Sequence, residues 1–110
     1  MKDIIYLING DENRYKIGIT SEKRLPGRVK QLQTGASCEL RLHTFYKTPL
    51  ASIIEKVLHR ELQAKRLVGE WFELTNDEVF TFTERCSNIE KNLNLLKEQN
   101  NDYIVKLLKK

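Results

Sequence analysis

The first twenty residues have the apolar and polar pattern of two β-strands joined by a turn. Residues 4–8 are a run of apolar, mostly β-branched side chains, and residues 15–20 alternate between apolar and polar side chains. Residues 9–13 lie between them and favour a turn, because Asn and Gly tolerate positive φ angles. The pattern therefore predicts a β-hairpin. Gly18 stands inside its second strand, which indicates that another group comes close to the main chain there.

A helix and a third strand are predicted next along the chain. Leu25, Val29 and Leu32 keep the i, i+4, i+7 spacing of a helix, and Gly35 follows where a left-handed glycine commonly ends one. Residues 40–46 again alternate between apolar and polar side chains, which is typical of a strand.

The second half of the chain is predicted to be mostly helical. Residues 50–66 carry an apolar stripe at helical spacing. Thr75 and Glu78 have the T-x-x-E form of a capping box, which opens a long helix whose apolar residues recur at alternating spacings of three and four. The same spacing resumes after residues 100–102. Either one helix continues to Leu107, or these polar residues break it and cap a short terminal helix.

The order of these elements predicts an α/β domain of the α+β type, with a small three-stranded antiparallel sheet flanked by helices and a long C-terminal helix. A chain of 110 residues is long enough for one hydrophobic core and too short for two. We expect a core domain at residues 1–74 and a helical extension at residues 75–110. The extension either packs on the core or forms a homodimer through its apolar stripe.

Composition limits the classes of protein to which the chain can belong. Its 40% hydrophobic and 31% charged residues are typical of a globular protein. No apolar run approaches 18 residues and no signal-peptide pattern follows Met1, so we expect no membrane association and an intracellular, cytoplasmic protein, or its nucleoid or host-cell equivalent. Cys38 and Cys86 lack a C-x-x-C partner, which favours two reduced thiols over a zinc site.

Positive charge is concentrated in the middle of the chain. The formal net charge is +4, yet residues 14–66 hold twelve Lys or Arg against four acids, a local net charge of +8. Such a block is typical of a surface that binds nucleic-acid phosphates, although a basic face that serves only solubility is the alternative. The candidate nucleic-acid-binding residues near the first helix are Lys23, Arg24, Arg28 and Lys30.

Two short motifs of the predicted hairpin resemble the paired signature of the GIY-YIG nuclease superfamily. I-I-Y is similar to the first motif, with Tyr6 as its tyrosine, and K-I-G is similar to the second, with Gly18 as its glycine. Ile4 stands where the family usually has a glycine, and Lys16 replaces the second tyrosine. Tyr15 lies one place too early to replace that tyrosine, because a shift of one residue turns a strand side chain to the opposite face.

Three later segments extend the resemblance, which covers residues 3 to about 75. Arg28 begins a stretch similar to the family's R-x-x-x-L-Q-x-G, whose arginine contacts the scissile phosphate, and Glu55 is similar to the helix glutamate that binds a divalent ion. His59 lies one helical turn after Glu55, so it can reach the same site, and we place it among the nucleic-acid-binding residues. The G-E-W-F motif is similar to one found in a short branch of the superfamily that is common in viral and bacterial sequences. In that branch, lysine also replaces the second tyrosine. Trp71 of that motif either closes the core or stacks on a nucleobase.

The resemblance implies a metal-dependent endonuclease that hydrolyses phosphodiester bonds, with DNA as the expected substrate. It implies that Glu55 binds Mg²⁺ or Mn²⁺, that Arg28 binds the phosphate, and that Tyr6 or Lys16 is the base. Neither is a good base at its ordinary pKa of about 10, so the metal or the neighbouring groups must shift one of them. The alternative is a nucleic-acid-binding module of the same fold that cleaves nothing.

Overall fold

A four-stranded antiparallel sheet lies at the centre of the computed structural model, which describes residues 1–99. The strands, in the sheet order β3-β1-β2-β4, are β1 at Ile4–Asn9, β2 at Arg14–Thr20, β3 at Arg41–Lys47 and β4 at Trp71–Glu73. The helices are α1 at Leu25–Thr34, α2 at Ala51–Glu61, α3 at Asn76–Phe80 and α4 at Phe82–Gln99, with a 3₁₀ turn at Gln63–Lys65. No helix within residues 1–99 is long and apolar enough to cross a membrane.

The α+β class with a long C-terminal helix is confirmed, but the expectation of three strands is wrong by one. The additional strand, β4, is three residues long and pairs with the first half of β2, where Lys16 lies opposite Trp71. A strand this short gives no alternating pattern in the sequence. Its existence therefore depends on a pairing partner that lies far away in the chain.

The central strand β1 is buried on both faces of the sheet. Its side chains alternate, so Ile5 and Leu7 point to one face while Tyr6 and Ile8 point to the other. Helices α2, α3 and α4 cover the first face and form the larger core, and α1 covers the second. We call these the α2 face and the α1 face.

The structure confirms some of the predicted helix boundaries and corrects others. Thr75 and Glu78 form the capping box, because Thr75 Oγ1 accepts from the Glu78 N–H at 3.2 Å and Glu78 Oε1 accepts from the Thr75 N–H at 2.9 Å. Gly35 follows α1 as expected, but its φ of −95° shows that the expected left-handed conformation is wrong. The predicted helix at residues 50–66 ends at Glu61, and the 3₁₀ turn follows it.

The single long helix expected after Thr75 is divided into α3 and α4 at Thr81. Thr81 Oγ1 donates to the Asp77 carbonyl oxygen at 2.7 Å, a back-bond of the kind that bends helices. The apolar stripe of α4 is buried against its own domain, and Tyr46 Oη donates to Glu90 Oε1 at 2.7 Å beside it. The described part of the stripe therefore needs no second chain. The pattern that resumes at Leu107 lies outside the described residues, and the homodimer stays a prediction.

Both cysteines are free thiols, as expected. Cys86 is buried in the core on the α2 face, and burial raises the pKa of its thiol to about 12. Such a thiol is unreactive at neutral pH, which is typical of a packing residue.

The predicted close approach to the Gly18 main chain is confirmed, and the approaching group is the Tyr6 ring. The two residues are cross-strand partners on the α1 face. A Cβ on Gly18 would stand 2.5 Å from Tyr6 Cζ, well inside van der Waals contact. Because Tyr6 is only 1% exposed, its ring has little room to move aside.

Gly18→Ala should therefore lower the free energy of unfolding by about 1–3 kcal/mol through overpacking against the tyrosine ring. Urea denaturation of the wild type and the variant measures this difference in the free energy of unfolding. Gly27→Ala is the matched control, because an added Cβ there meets nothing within 4 Å and should be neutral or slightly stabilising. A Gly18→Ala protein as stable as the wild type would show that the Tyr6 ring can be accommodated without a glycine at residue 18.

Candidate active site

Half of one edge of β2 is left open by the short strand β4, and functional groups gather there. Strand β4 pairs only with residues 14–16 of β2. At the next residue, the Ile17 N–H donates to the Glu70 carbonyl oxygen at 3.1 Å, and the Ile17 carbonyl oxygen lies 3.0 Å from His59 Nε2. A carbonyl can only accept, so Nε2 carries a proton and the lone pair of a neutral ring lies on Nδ1.

Two carboxylates and this histidine form a cluster at the open edge. Glu55 and His59 come from α2, and Glu70 precedes β4. One potential ligand atom from each lies within 4.8 Å of the others, and within residues 1–99 no other group of three such residues is so arranged. Glu55 Oε2 is buried and lacks a hydrogen-bond partner. Every other buried side-chain oxygen or nitrogen within residues 1–99 has a partner. A buried carboxylate oxygen without a partner is costly unless a cation or a proton satisfies it.

The surroundings of Glu55 favour such a positive charge or proton. Burial raises the pKa of its carboxyl to about 7, and the negative charge of Glu70 contributes to the rise, while Lys2 and Lys16 act in the opposite direction. Two carboxylates this close cannot both be ionised at low cost. A divalent cation is the simplest group that would stabilise both charges.

Lys16 connects this cluster to the α1 face. Its Nζ lies 3.3 Å from Glu70 Oε1 and 5.7 Å from the centroid of the Trp71 ring, and its side chain is only 12% exposed. Glu70 therefore lies between the Lys16 ammonium and the Glu55 carboxyl. The site thus contains Lys16, one of the two candidate bases that the resemblance implies, and Glu55, the metal ligand that it implies, with Glu70 beside both.

Tyr6 and Arg28 meet on the α1 face of the sheet. Burial raises the pKa of Tyr6 above its ordinary value of 10.0; the Arg28 guanidinium beside the hydroxyl lowers it, and the charges of Glu70 and Glu55 raise it. The chain by itself therefore moves the pKa of Tyr6 away from the range a base needs at neutral pH. Arg28 is half-buried, and its Nη1 donates to Gln31 Oε1 at 2.9 Å.

A positively charged groove adjoins these groups at the N-terminal end of α1. Its volume is about 530 Å³. Its lining includes four cationic side chains, those of Lys2, Lys23, Arg24 and Arg28. We call it the cationic groove. Lys2 and Arg28 place it next to the carboxylate cluster and the tyrosine, because Lys2 acts on the pKa of Glu55 and Arg28 on that of Tyr6.

Comparison with known protein families matches this chain to one of them. The family model described as T5orf172 domain matches residues 3–87. The chain belongs to the T5orf172 domain family. T5orf172 domains occur in phage and bacterial endonuclease-like proteins, which indicates a nucleic-acid-related function. No curated protein and no solved structure matches the chain.

The structure of this T5orf172 domain brings most of the predicted site residues together. Tyr6, Lys16, Arg28 and Glu55 surround the open edge of β2, and Gly18 supports the tyrosine ring. Lys23 and Arg24 line the cationic groove.

Two predicted nucleic-acid-binding residues lie outside the cationic groove. Lys30 is exposed on α1 and does not line it. His59 lies in the carboxylate cluster, with its ring 5.1 Å from the Phe72 ring. The assignments of Lys30 and His59 to nucleic-acid binding stay predictions.

Two residues of the site have no assigned role in the sequence pattern. Glu70 is the acidic residue of the G-E-W-F motif. Its position directly before the two aromatic residues is the signal that could have identified it. Lys2 gives no signal, because it is a single charge outside the basic block and reaches the groove only through the fold.

The raised pKa of Glu55 predicts how the stability of the metal-free domain depends on pH. The folded state holds this proton more tightly than the unfolded chain, so the contribution is present below the ordinary pKa of 4.5 and is lost as pH rises through about 7. Glu55→Gln removes the ionisation. Near pH 8 it should stabilise the protein relative to wild type by about 1–2 kcal/mol after allowance for solvent screening, and near pH 5 by much less.

Thermal melts in EDTA at both pH values measure this difference, and added Mg²⁺ or Mn²⁺ should raise the melting temperature of the wild type at the higher pH only. Glu61→Gln, an exposed change on the same helix, is the control and should leave the pH dependence unchanged. Equal pH dependence in wild type and Glu55→Gln would show that Glu55 is an ordinary surface acid.

Proposed function

We propose that this T5orf172 domain is a metal-dependent endonuclease that hydrolyses phosphodiester bonds of nucleic acid, with DNA as the expected substrate. The observation that carries the proposal is the buried, unpartnered oxygen of Glu55 beside Glu70, next to a groove lined by four cations. The carboxylates are suited to a metal ion and the groove to phosphates. Their proximity supports the proposal, because hydrolysis requires a phosphodiester beside a metal-binding group.

The donor atoms fit a hard divalent cation. Glu55 and Glu70 are the residues that would hold it, since carboxylate oxygens suit Mg²⁺ and Mn²⁺. His59 has two possible roles. It either contributes Nδ1 as a ligand, which suits Mn²⁺ better than Mg²⁺, or, held by its contact with Ile17, it orients the two carboxylates. When bound, such an ion supplies positive charge that stabilises the charge developing on the phosphate oxygens.

The cationic groove binds and orients the substrate in this proposal. Arg28 grips the scissile phosphate, because a planar guanidinium can bind two phosphate oxygens at once. Gln31 holds Arg28 in place through its side-chain hydrogen bond. Lys23 and Arg24 bind neighbouring phosphates and fix the direction of the strand.

Tyr6 and Lys16 remain the two candidates for the base that accepts a proton from water. The raised pKa of Tyr6 keeps its hydroxyl protonated at neutral pH in the chain alone, so its first capacity is to donate a hydrogen bond. Lys16 forms an ion pair with Glu70. Either residue accepts a proton only after substrate and ion change its surroundings.

Glu55→Gln should lower metal-dependent cleavage by about two or more orders of magnitude, since glutamine keeps the shape of the side chain and loses the charge that holds the ion. Cleavage of plasmid, single-stranded DNA and RNA with Mg²⁺ or with EDTA measures the effect. Binding in EDTA should survive, because it depends on the groove. Tyr6→Phe and Lys16→Met, assayed alongside, identify the base as the variant with the larger loss of kcat.

Glu61→Gln again serves as the control and should cleave at the wild-type rate. A folded Glu55→Gln protein that cleaves like wild type would contradict the assignment of the metal-binding residue. A wild-type chain that binds nucleic acid in the groove yet cleaves none of the three substrates with either ion is instead the non-catalytic binding module.

Reversing the charges of Lys23 and Arg24 to Glu should weaken binding to duplex DNA and lower the slope of log affinity against log salt by about 2, one for each phosphate that the groove no longer neutralises. Fluorescence anisotropy in EDTA over a range of salt concentrations measures the slope. Lys91→Glu with Lys97→Glu, exposed on α4, makes the same change in net charge away from the groove and should alter the slope much less. Equal effects of the two double variants would indicate nonspecific attraction.

A further inference from the structure

An apolar cleft lies on the α1 face at the opposite end of α1 from the cationic groove. It consists of two adjoining hollows of about 290 and 320 Å³. Both are lined by Gly35, Ala36, Leu40 and Trp71. We call it the Trp71 cleft. The proposed cleavage reaction gives it no role.

The aromatic wall of this cleft is held in place from two sides. Trp71 is paired with Lys16 in the sheet, and the Lys16 ammonium lies 5.7 Å from the ring centroid. The edge of the ring packs on Gly10, where an added Cβ would stand 3.0 Å from Trp71 Cζ3. The indole therefore forms a fixed, partly exposed surface, and ordering it on binding costs little entropy.

The rim of the cleft exposes two large apolar side chains. Leu67 and Val68 are 46% and 71% exposed, and both line the hollow beside Trp71. Asp11, an acid on the lining, lies 3.7 Å from Arg14, so its charge is compensated. An apolar, aromatic hollow with little net charge suits a flat, uncharged ring.

The Trp71 cleft and the cationic groove share one lining residue on α1. Gln31 lines both, and it holds Arg28 through the 2.9 Å hydrogen bond. Lys16 reaches from the carboxylate cluster to the Trp71 ring. A strand whose phosphate lies against Arg28 therefore has the Trp71 cleft within its path along the same helix.

We propose that the Trp71 cleft binds one nucleobase stacked on the indole, so that the preferred substrate carries an unpaired nucleotide beside the scissile phosphate. The inference rests on the proposed function, because it takes the cationic groove as the phosphate site. A base inside a duplex is stacked and paired, and its ring cannot enter a cleft. Stacking on one aromatic side chain tolerates any base, so the preference is for an unpaired nucleotide of any sequence.

Trp71 is the only tryptophan of the chain, so the intrinsic fluorescence of the protein reports on this ring. The wild-type protein in EDTA is titrated with two single strands of equal length, one of thymidines and one of abasic deoxyribose phosphates. The thymidine strand should quench the fluorescence and bind about tenfold more tightly or better. The abasic strand, with the same phosphates, should bind without quenching.

A perfect duplex and a duplex with one extra unpaired nucleotide test whether the bound base comes from a single strand or is extruded from a duplex. The perfect duplex should bind without quenching, and the bulged duplex should quench if a base extruded from a helix can enter the cleft. Quenching by the thymidine strand alone would restrict the site to single strands. The same quenching by the perfect duplex and by the abasic strand would overturn the proposal.

Two variants test the cleft without removing the tryptophan. Ala36→Leu fills a wall shared by both hollows, and Val68→Glu places a negative charge on the exposed rim. Each should abolish quenching and make the thymidine and abasic strands bind equally. Ala64→Leu, an exposed change in the 3₁₀ turn, is the control and should preserve the difference.

Failure of this inference and failure of the proposed function give different results. Equal, salt-dependent binding of both strands without quenching would overturn the nucleobase site and leave the cationic groove intact. No binding of either strand at low salt would remove the groove as a phosphate site, and the inference with it. Val68→Glu lies on an exposed position, so it also provides a result if Ala36→Leu fails to fold.

Discussion

The site depends on one mismatch in strand length, because β4 covers only the first half of β2. Had β4 continued, its backbone would have occupied the edge beyond Lys16, and side chains from the two faces would have been separated by the sheet. Instead, Ile17 completes its hydrogen bonds with the Glu70 carbonyl and the His59 ring. The main-chain groups of the edge are satisfied by the same residues that form the cluster, so fold and site share these contacts.

The carboxylate cluster is unfavourable for the fold when it is ionised, and this cost is informative. A buried Glu55 oxygen without a partner and a second carboxyl beside it both oppose folding of the ionised protein. Lys2 and Lys16 offset part of this cost through their charges. Groups that are unfavourable for the fold and gathered in one place are typical of sites that bind or catalyse. Elsewhere in the chain an acid such as Glu61 is exposed and paired, in its case with Arg85.

Sequence periodicity predicts the hairpin and the helices, because these follow from spacings of two and 3.6 residues that are local to each element. It cannot predict β4, whose three residues adopt a strand only beside β2, or the division at Thr81, where one hydroxyl competes for a helix carbonyl. For the site, the motifs identify the groups contributed by β1, β2, α1 and α2. Glu70 and Lys2 join them only through tertiary contacts, for which a single sequence carries no periodic signal.

Glu70 lies beside both Lys16 and the proposed ion site at Glu55, so it links the ion to the base in the proposed function. In the described chain its carboxylate is the partner of the Lys16 ammonium. A divalent ion at Glu55 would draw on the same carboxylate, and the Coulomb attraction between Glu70 and Lys16 would weaken as the ion neutralises that carboxylate. Ion binding and the contact that Lys16 makes are then coupled through one side chain. Tyr6 is linked to the ion as well, since the charges of Glu70 and Glu55 add to the rise in its pKa that burial causes, and an ion beside them would offset that part. A base coupled to the ion in this way would act only when the ion is present, which would limit cleavage to the complete site.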